Sequence, residues 1–449
     1  MIHTLYSIAM WLSQPLLKRK LKRRGVAEPG YLLAIDERFG RYATSVPAHD
    51  GPTVWIHAVS LGETRAAAVL IAALRSQLPG MRLLLTHGTA TGRAEGTKLL
   101  RPGDLQAWQP WDTVGATRRF LSHFKPQIGV LMETEIWPNL VHSCKVQQVP
   151  LVLANARLSD KSLRQTEKLA WLARPAYAEL HAVWPQTLQD AQRFQQLGAP
   201  VRAVLGNLKF DATVDASQVA QGREWRVHTG KPVVMFASSR EGEEQALLQI
   251  LKEFSPLAPV LKGRDATDVV VNQVQWLIVP RHPQRFDAVA ELVQSQGFAV
   301  SRRSAWGEAG PAVPGDSSVN DATTIWLGDS LGEMAMYFGL ADVALLGGSF
   351  EPLGGQNLIE AAACGCPVVM GPHTFNFAEA AEHAQKAGAA LRVADLAQAV
   401  TTAAELIADV RRLADARQAS SDFARAHRGA AQQLASAIVQ VMKALVTGM

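Results

Sequence analysis

Short apolar runs alternate with amphipathic segments from residue 54 onward, and this alternation limits the possible folds more than any other feature. Amphipathic segments such as 64–78 and 160–178 have the spacing of helices that cover a core. Near-continuous apolar runs joined by helices predict a parallel sheet with helices on both faces. The first half of the chain offers six candidate strands, at 54–59, 82–87, 127–133, 150–156, 182–186 and 201–205.

A polar stretch at 211–230 interrupts the alternation, and we predict that it links two domains. The alternation then resumes, and the chain from about 394 onward is helical and rich in alanine. We therefore predict an α/β chain with two doubly wound, Rossmann-like domains, residues 25–210 and 231–449, facing each other across a cleft. Strand candidates in the second half lie at 232–238, 275–280, 323–327, 342–346 and 367–370.

The composition indicates a globular chain without disulfide or metal signatures. Its 449 residues suggest about two to three domains, and hydrophobic residues make up 48% of them against 19% charged. Cys144, Cys364 and Cys366 are too few for a disulfide framework, which favours a reducing compartment. The twelve histidines form no paired ligand pattern, so we predict no metal site.

A basic run at 18–24, KRKLKRR, accounts for the net charge of +5. Without its six Lys and Arg residues, the chain holds 39 basic residues against 40 acidic ones. Nucleic-acid binders usually spread basic residues over a working face and add motif signals. We therefore predict no nucleic-acid partner, and we interpret the basic run as a local feature of the amino-terminal segment.

An apolar run at 4–17 comes directly before this basic run. It is shorter than the roughly 20 residues that a bilayer-spanning helix needs. We predict that residues 1–24 form a helix that dips into an anionic membrane surface, with the basic run on the lipid headgroups. The alternatives are a core helix with a solvated basic tail, or a single span whose cytoplasmic end is the basic run. The residues that share one helical face are Leu5, Ile8, Ala9, Leu12 and Leu16.

The segment 329–377 combines three features of a nucleotide site. A buried strand ends at Gly347-Gly348, a glycine-rich loop follows, and a short helix begins at Asn357. Ligands of open α/β sheets bind beyond the carboxyl ends of strands, and helix amino termini favour phosphate. Glu360, one turn into the helix, could hold a ribose diol. The alternative is that Asn357 and Glu360 only form a capping box.

Glu63 stands where the first predicted strand gives way to a helix, after the turn Ser60-Leu61-Gly62. A carboxylate at this edge of the sheet could take the proton of an attacking hydroxyl as a general base. The alternative is structural, because the helix dipole favours glutamate in the first turn of a helix.

Polar residues follow other predicted strands as well, so that they would gather at the same edges. In the second domain, prolines on either side of Arg281-His282 fix a rigid turn, and arginine suits phosphate. In the first domain the candidates are the loop 86–92, Glu133, Glu135, Arg157 and Lys209.

Three signatures of common enzyme classes are missing from the sequence. It contains no GxxxxGK[ST] phosphate loop, no GxGxxG fingerprint after its first strand and no GxSxG elbow. Kinases, ATPases, classical dehydrogenases and α/β-hydrolases are therefore disfavoured.

Taken in order, these motifs resemble the Kdo transferases, which transfer 3-deoxy-D-manno-octulosonate (Kdo) in bacterial lipopolysaccharide assembly. The sequence departs from the family pattern at Gln284, where glutamate is expected, and in the stretch 302–322, which is longer than usual. The likeness covers almost the whole chain and includes HAVSLGE, TATG, ETEIWPN, NARLSDKS, GNLKFD, ASSREGEE, PRHPQRF and GGSFEPLGGQNLIE.

The resemblance implies a B-type glycosyltransferase (GT-B) at the cytoplasmic face of the inner membrane. Such an enzyme moves Kdo from CMP-Kdo to lipid IVA, a lipid A precursor, with inversion and without a metal or another cofactor. It often adds a second Kdo to the first. The sequence indicates no protein partner.

By motif, the resemblance makes Glu63 the general base and lets Glu133 and Lys209 stabilise the transition state. Two alternatives remain: a GT-B enzyme that uses a UDP-sugar and a lipid-linked acceptor, and a non-catalytic membrane protein that binds a nucleotide. The residues implied to line the CMP site are Pro280, Arg281, His282, Leu331, Gly332, Glu333, Gly348, Ser349, Asn357, Leu358, Ile359 and Glu360.

Overall fold

The chain forms two compact units in a computed structural model that describes residues 2–43, 45–211, 214–253, 274–311 and 324–447. The first unit comprises Met1–Ala212 together with His427–Met449, and the second comprises Thr213–Ala426. The stretch 302–322, noted as long in the sequence, lies outside the described residues from 312 onward.

A six-stranded parallel sheet forms the centre of the first unit, with the strand order β3-β2-β1-β4-β5-β6. From β1 the chain moves to one side through β2 and β3, and then returns to place β4 on the other side of β1. The sheet therefore reverses its direction of winding between β1 and β4. The strands are β1 (Thr53–His57), β2 (Arg82–His87), β3 (Leu105–Trp108), β4 (Ile128–Met132), β5 (Leu151–Ala156) and β6 (Ala182–Pro185).

Helices of the first unit begin where a short polar side chain can accept a main-chain amide. Thr89, Thr113 and Thr187 each accept such a hydrogen bond at the start of a helix, and Ser60 and Ser159 do the same. The helices are α1 (Ile2–Leu12), α2 (Gln14–Ala27), α3 (Leu61–Gln77), α4 (Ala90–Thr97), α5 (Val114–Phe124), α6 (Pro138–Val146), α7 (Asp160–Glu167), α8 (Ala170–Ala178) and α9 (Leu188–Gln196).

Both faces of this sheet are covered, as the apolar strands predict. Val54 and Ile56 point to one side, where they pack with residues of α3, and Trp55 points to the other, where it packs with Phe120 of α5. One predicted strand is wrong, because 201–205 contributes only an isolated bridge between Val201 and Val183. Conversely, β3 was not predicted, because four residues with a glutamine among them carry little strand signal.

The amino-terminal segment folds as α1 and α2, which meet at Ser13. The predicted apolar face is largely exposed: Leu5, Ile8, Leu12 and Leu16 each expose at least half of their surface. These side chains are therefore not part of the core of the first unit. Among the described residues, no helix combines the length and the apolar character that crossing a bilayer requires.

A seven-stranded parallel sheet forms the centre of the second unit, with the order β13-β12-β11-β7-β8-β10-β9. Here the direction of winding reverses between β7 and β11. The predicted strands are all present, and β9 and β13 are additional short edge strands. The strands are β7 (Val233–Ser239), β8 (Gln275–Pro280), β9 (Ala299–Arg302), β10 (Thr324–Leu327), β11 (Val343–Leu346), β12 (Val368–Met370) and β13 (Ala390–Arg392).

The predicted linker at 211–230 is wrong for most of its length, because a helix fills it and packs within the second unit. A side chain at Gly222 would come within 2.0 Å of the Met336 carbonyl oxygen, so the two backbones are in close contact. The helices of this unit are α10 (Ala216–His228), α11 (Glu243–Glu253), α12 (Phe286–Ser295), α13 (Met334–Leu340), α14 (Leu358–Ala363), α15 (Ala378–Lys386), α16 (Leu396–Ala408) and α17 (Val410–Ala426).

The last helix, α18 (Ala430–Thr447), belongs to the first unit. The predicted second domain, 231–449, includes it, so this boundary is wrong. The helix packs against α3, and its Leu434 and Ile438 are fully buried in the core beside Leu70. Asp211 caps its start by accepting hydrogen bonds from the amides of Gly429 and Ala431. Sequence order alone does not reveal such a return of the chain.

Candidate functional site

The predicted catalytic glutamates lie where the winding of the first sheet reverses. Glu63 follows β1 in the first turn of α3, and Glu133 follows β4 directly. Because β1 and β4 are neighbours and parallel, their carboxyl ends meet at one edge. The crevice at such a reversal is the usual ligand site of open α/β sheets.

Glu63 takes part in the start of α3, as the structural interpretation of the sequence predicted. Its Oε2 accepts a hydrogen bond from the Val59 amide at 2.8 Å, and its Oε1 accepts one from Ser60 Oγ at 3.0 Å. Ser60 Oγ in turn accepts the Glu63 amide, so the two residues form a capping box. Each carboxylate oxygen has a second lone pair and could still accept a proton or hydrogen bond.

The surroundings of Glu63 raise its pKa to about 7. Burial is the main cause, and the negative charges of Glu133 and Glu135 raise the pKa further, against hydrogen bonds from Val59 and Ser60 that lower it. A pKa near neutrality is what an efficient general base needs. The loops after β1 and β4 thus bring three carboxyl groups into one electrostatic neighbourhood.

Glu133 itself has an unusual backbone. Its φ is +59°, in the left-handed region that residues with a side chain rarely adopt. Its amide donates to the Ala154 carbonyl, and its own carbonyl accepts from the Arg157 amide, so the neighbouring strand β5 and the residue after it hold it there. Residues held in such rare backbone conformations are typical of functional sites.

Lys209 lies in a short 3-10 turn, Leu208–Asp211, that contacts α3. Two asparagines shape this turn: Asn155 Oδ1 accepts the Leu208 amide at 3.1 Å, and Asn207 Oδ1 accepts the Lys209 amide at 3.0 Å. Asn155 is fully buried at the end of β5, with a left-handed φ of +51°. The ends of β1, β4 and β5 and the turn Leu208–Asp211 therefore carry or support all three predicted catalytic residues.

The glycine pair after β11 lies at the winding reversal of the second sheet. A side chain at Gly347 would come within 2.4 Å of the Ser238 carbonyl oxygen, so the ends of β7 and β11 are in close contact. The Gly348 amide donates to both oxygens of Glu243 at 2.9 Å. Ser349 is fully buried, and its hydroxyl bonds to the Leu346 carbonyl and the Gly371 amide, which makes its side chain structural.

The turn after β8 presents the predicted cationic pair to solvent. Arg281 and His282 are exposed, and the Arg281 amide donates to the Ser239 carbonyl at the end of β7. The pKa of His282 is lowered, first by desolvation and then by Arg240, Arg281 and Arg285. At neutral pH this imidazole is therefore mainly neutral and surrounded by positive charge.

The predicted residues after β10 fall into two groups. Leu331 is 73% exposed, and Gly332 has a φ of +80° that suits glycine. Glu333 is already engaged, because Arg303 pairs with it at 2.9 Å and the Ser330 hydroxyl donates to it. This carboxylate is part of a polar network that fixes the loop.

At the start of the short helix α14, main-chain groups are better placed than side chains to contact a ligand. Leu358 and Ile359 are buried in the core, so their side chains are not available to a ligand. Asn357 caps the helix by accepting the Ile359 amide at 3.1 Å, which is the capping role that the sequence left open. Glu360 is half-buried one turn further on.

Comparison with known proteins now decides the family. The sequence model described as 3-Deoxy-D-manno-octulosonic-acid transferase (kdotransferase) matches residues 34–212. A 3-deoxy-D-manno-octulosonic acid transferase of Bordetella pertussis is 44% identical, over 96% of this chain and 98% of its own. The transferase of Haemophilus influenzae is 30% identical over 90% of both chains. The chain belongs to the Kdo transferase family.

Solved structures agree with the fold of a Kdo transferase-family glycosyltransferase. A glycosyltransferase from Rickettsia africae covers 89% of this chain and all of its own, with a TM-score of 0.54 and 12% identity. A UDP-GlcNAc 2-epimerase from Neisseria meningitidis covers 87% of this chain and 99% of its own, with a TM-score of 0.51 and 14% identity. The two Rossmann-like units thus have the GT-B fold.

This family member also has site residues that the sequence did not single out. Glu243 holds the Gly348 amide, and Glu244 forms a two-pronged ion pair with Arg285 beneath the turn after β8. The carboxylate of Glu243 also accepts the Arg240 amide at 2.9 Å, a contact that only the structure reveals. Glu135, which the sequence had already indicated, has a pKa raised by burial and joins Glu63 as a second protonatable carboxyl group.

A spacious groove in the described part of the first unit lies away from these residues. It has a volume of about 1630 Å³ and is lined by Gln127, Leu151 and His181 near the amino ends of the strands. The candidate site is therefore assigned by its chemistry and by the winding of the sheet, not by size. No cluster of three metal-ligating side chains occurs within the described ranges.

Proposed function

We propose that this enzyme transfers Kdo from CMP-Kdo to lipid IVA with inversion, at the cytoplasmic face of the inner membrane, in lipopolysaccharide core biosynthesis. The observation that carries the proposal is Glu63, a carboxyl group with a pKa of about 7 at the winding reversal of the first unit. Membership of the Kdo transferase family supports the choice of the sugar. No cofactor and no metal take part in the proposed reaction.

In this proposal Glu63 is the general base of a single displacement. As the acceptor hydroxyl oxygen forms a bond to the anomeric carbon of Kdo, its proton passes to Glu63. The bond between that carbon and the CMP phosphate oxygen breaks, and CMP leaves with the electron pair. Attack from the face opposite the leaving group inverts the anomeric centre.

Glu133 and Lys209 are proposed to stabilise the charge that develops in this step. The transition state resembles an oxocarbenium ion, so a carboxylate on a strained, fixed backbone favours it electrostatically. Kdo carries a carboxylate of its own, and the ammonium of Lys209 suits an anionic group.

The second unit is proposed to hold CMP. The leaving phosphate gains negative charge, which the guanidinium of Arg281 and the first amides of α14 can offset. Gly348, Ser349 and the loop Leu331-Gly332-Glu333 would shape the walls of this site, mainly through main chain. Asn357 and Glu360 would contact the nucleoside.

The acceptor is a lipid, which gives the amino-terminal segment a role. Exposed Leu5, Ile8, Leu12 and Leu16 and the basic run at 18–24 suit docking to an anionic membrane surface. The enzyme would meet lipid IVA at that surface without leaving the membrane face.

The test is mass spectrometry of lipid IVA incubated with the purified full-length protein and freshly generated CMP-Kdo. A mass increase of one Kdo is expected, and an increase of two would mean that the first product is also an acceptor. If lipid IVA gains no Kdo but a UDP-sugar is consumed with a lipid-linked acceptor, the proposal is wrong and the enzyme is a different GT-B transferase.

A further inference from the structure

Helix α1 is connected to the segment that carries Glu133. Asp112, in the loop before α5, is fully buried and lies at the start of α6, where Asn139 follows the segment 133–138. The Asp112 carboxylate accepts the amides of Asn139 at 3.1 Å and Leu140 at 2.8 Å. It therefore acts as the anionic cap of α6, which has no side-chain cap of its own.

The same cap fixes Asn139 through its side chain. Asn139 Nδ2 donates to the Asp112 carbonyl at 2.6 Å, so main chain and side chain of Asn139 are both held. Asn139 is fully buried, and Pro138 before it has a fixed φ. The far end of the segment that begins at Glu133 is thus anchored at one buried carboxylate.

Helix α1 completes this cap from outside the sheet. The Tyr6 hydroxyl donates to Asp112 Oδ2 at 2.8 Å, and the Ser7 hydroxyl donates to Asn139 Oδ1 at 2.6 Å. Both residues are half-buried, and α1 contacts α6 and α8. On the same helix, Leu5 and Ile8 are 62% and 50% exposed.

We propose that Tyr6 and Ser7 are positioning residues, which hold the segment 133–139 in the geometry that transfer requires. This inference rests on the proposed function, in which Glu133 acts at the reacting sugar. The amino-terminal helix is then part of the scaffold of the catalytic site as well as a membrane anchor. Contact of its exposed face with a lipid surface would steady the same helix that steadies Glu133.

The physical reason is the sensitivity of transfer to geometry. Without the two hydroxyl donors, the Asp112 carboxylate and the Asn139 side chain each lose one hydrogen bond inside the protein. The cap loosens, and Glu133 samples positions away from the anomeric carbon. A small displacement of a charge-stabilising group is enough to slow an enzyme strongly.

The test combines the double variant Tyr6→Phe/Ser7→Ala with two measurements on the full chain. With detergent-dispersed lipid IVA and CMP-Kdo, we expect kcat to fall about tenfold, with the KM for CMP-Kdo unchanged. Hydrogen–deuterium exchange should become faster at the amides of Asn139 and Leu140, which donate hydrogen bonds to Asp112 in the wild type. Sedimentation with anionic liposomes should be unchanged, because the apolar and basic residues remain.

Two further variants separate positioning from general stability. Ser122→Ala removes a serine hydroxyl that bonds to Gln147 on the surface of the same unit, and it should change neither measurement. Ser7→Thr keeps a hydroxyl and should retain most of the rate. An unchanged kcat in the double variant, or a lower kcat with unchanged exchange at 139–140, would overturn the proposal. If wild-type protein transfers no Kdo, the proposed function fails, while the exchange experiment still decides whether α1 holds this segment.

Discussion

Glu63 caps a helix and is also the proposed catalytic base. In Glu63→Gln the amide oxygen can still accept the Val59 amide, so α3 keeps its cap while the proton acceptor is lost. We expect kcat for Kdo transfer to fall by about 10²–10⁴-fold, with CMP binding and thermal stability nearly unchanged. Glu95→Gln is the matched control, because Glu95 is a surface glutamate paired with Lys98.

The raised pKa of Glu63 predicts a rising pH profile. Below about pH 7 the carboxyl group is protonated and cannot take a proton, and above it the carboxylate is the competent form. We expect kcat/KM to rise with pH through about 7 in the wild type, and this rise to be missing in Glu63→Gln. A wild-type profile that is flat between pH 6 and 8 would argue against Glu63 as the base.

At the scale of elements, α1 presents apolar side chains that no protein core explains. Leu12→Asp puts a charge on this face, where burial in a lipid surface would be costly. We expect much weaker sedimentation with anionic liposomes. Leu188→Asp is the control: Leu188 is 73% exposed at the start of α9, where the dipole favours an acid, so liposome binding should not change.

The contact between α10 and α13 depends on small residues. A side chain at Gly222 would meet the Met336 carbonyl oxygen at 2.0 Å, so Gly222→Ala forces the helices apart. We expect the free energy of unfolding to fall by about 1–3 kcal/mol, measured by urea denaturation. Gly80→Ala, where nothing lies within 4 Å of the added atom, should leave stability close to that of the wild type.

At the scale of the molecule, the proposed roles divide between the two units. Arg281→Ala, in the second unit, should weaken CMP binding about tenfold by calorimetry, because a charge-assisted contact to phosphate is lost. Arg411→Ala, an exposed arginine of α17, is the control. Combined with Glu63→Gln, the losses in kcat/KM should multiply, since the two residues are proposed to act on different groups, Arg281 on the CMP phosphate and Glu63 on the acceptor hydroxyl; a double variant no worse than Glu63→Gln alone would contradict this division.

Much of this architecture is readable from the sequence, because buried parallel strands are nearly continuous apolar runs. The runs that became β1, β4, β7 and β11 predicted both sheets, and with them the edges where Glu63 and Glu133 lie. The prediction of a linker at 211–230 is wrong for a physical reason. Of the residues in α10, only Val219, Gly222 and Trp225 are buried, and this narrow stripe is hidden among polar residues.

The parts of the candidate site that the sequence could not supply depend on contacts between distant residues. Nothing near Tyr6 in the chain indicates that its hydroxyl reaches Asp112, which lies 106 positions away. Nor does the sequence around Gly348 indicate that its amide is held by Glu243. Motifs identify which residues follow a strand, whereas the partners that orient them come from the packing of other elements.

The return of α18 to the first unit has a consequence for biosynthesis. A ribosome releases this chain from its amino end, yet the core around α3 lacks Leu434 and Ile438 until the second unit has already emerged. The second unit, Thr213–Ala426, is complete in the nascent chain before the first one is. Maturation of the unit that carries Glu63 thus waits until α18 has been synthesised, and a polypeptide that stopped before Ala430 would leave the core around α3 open.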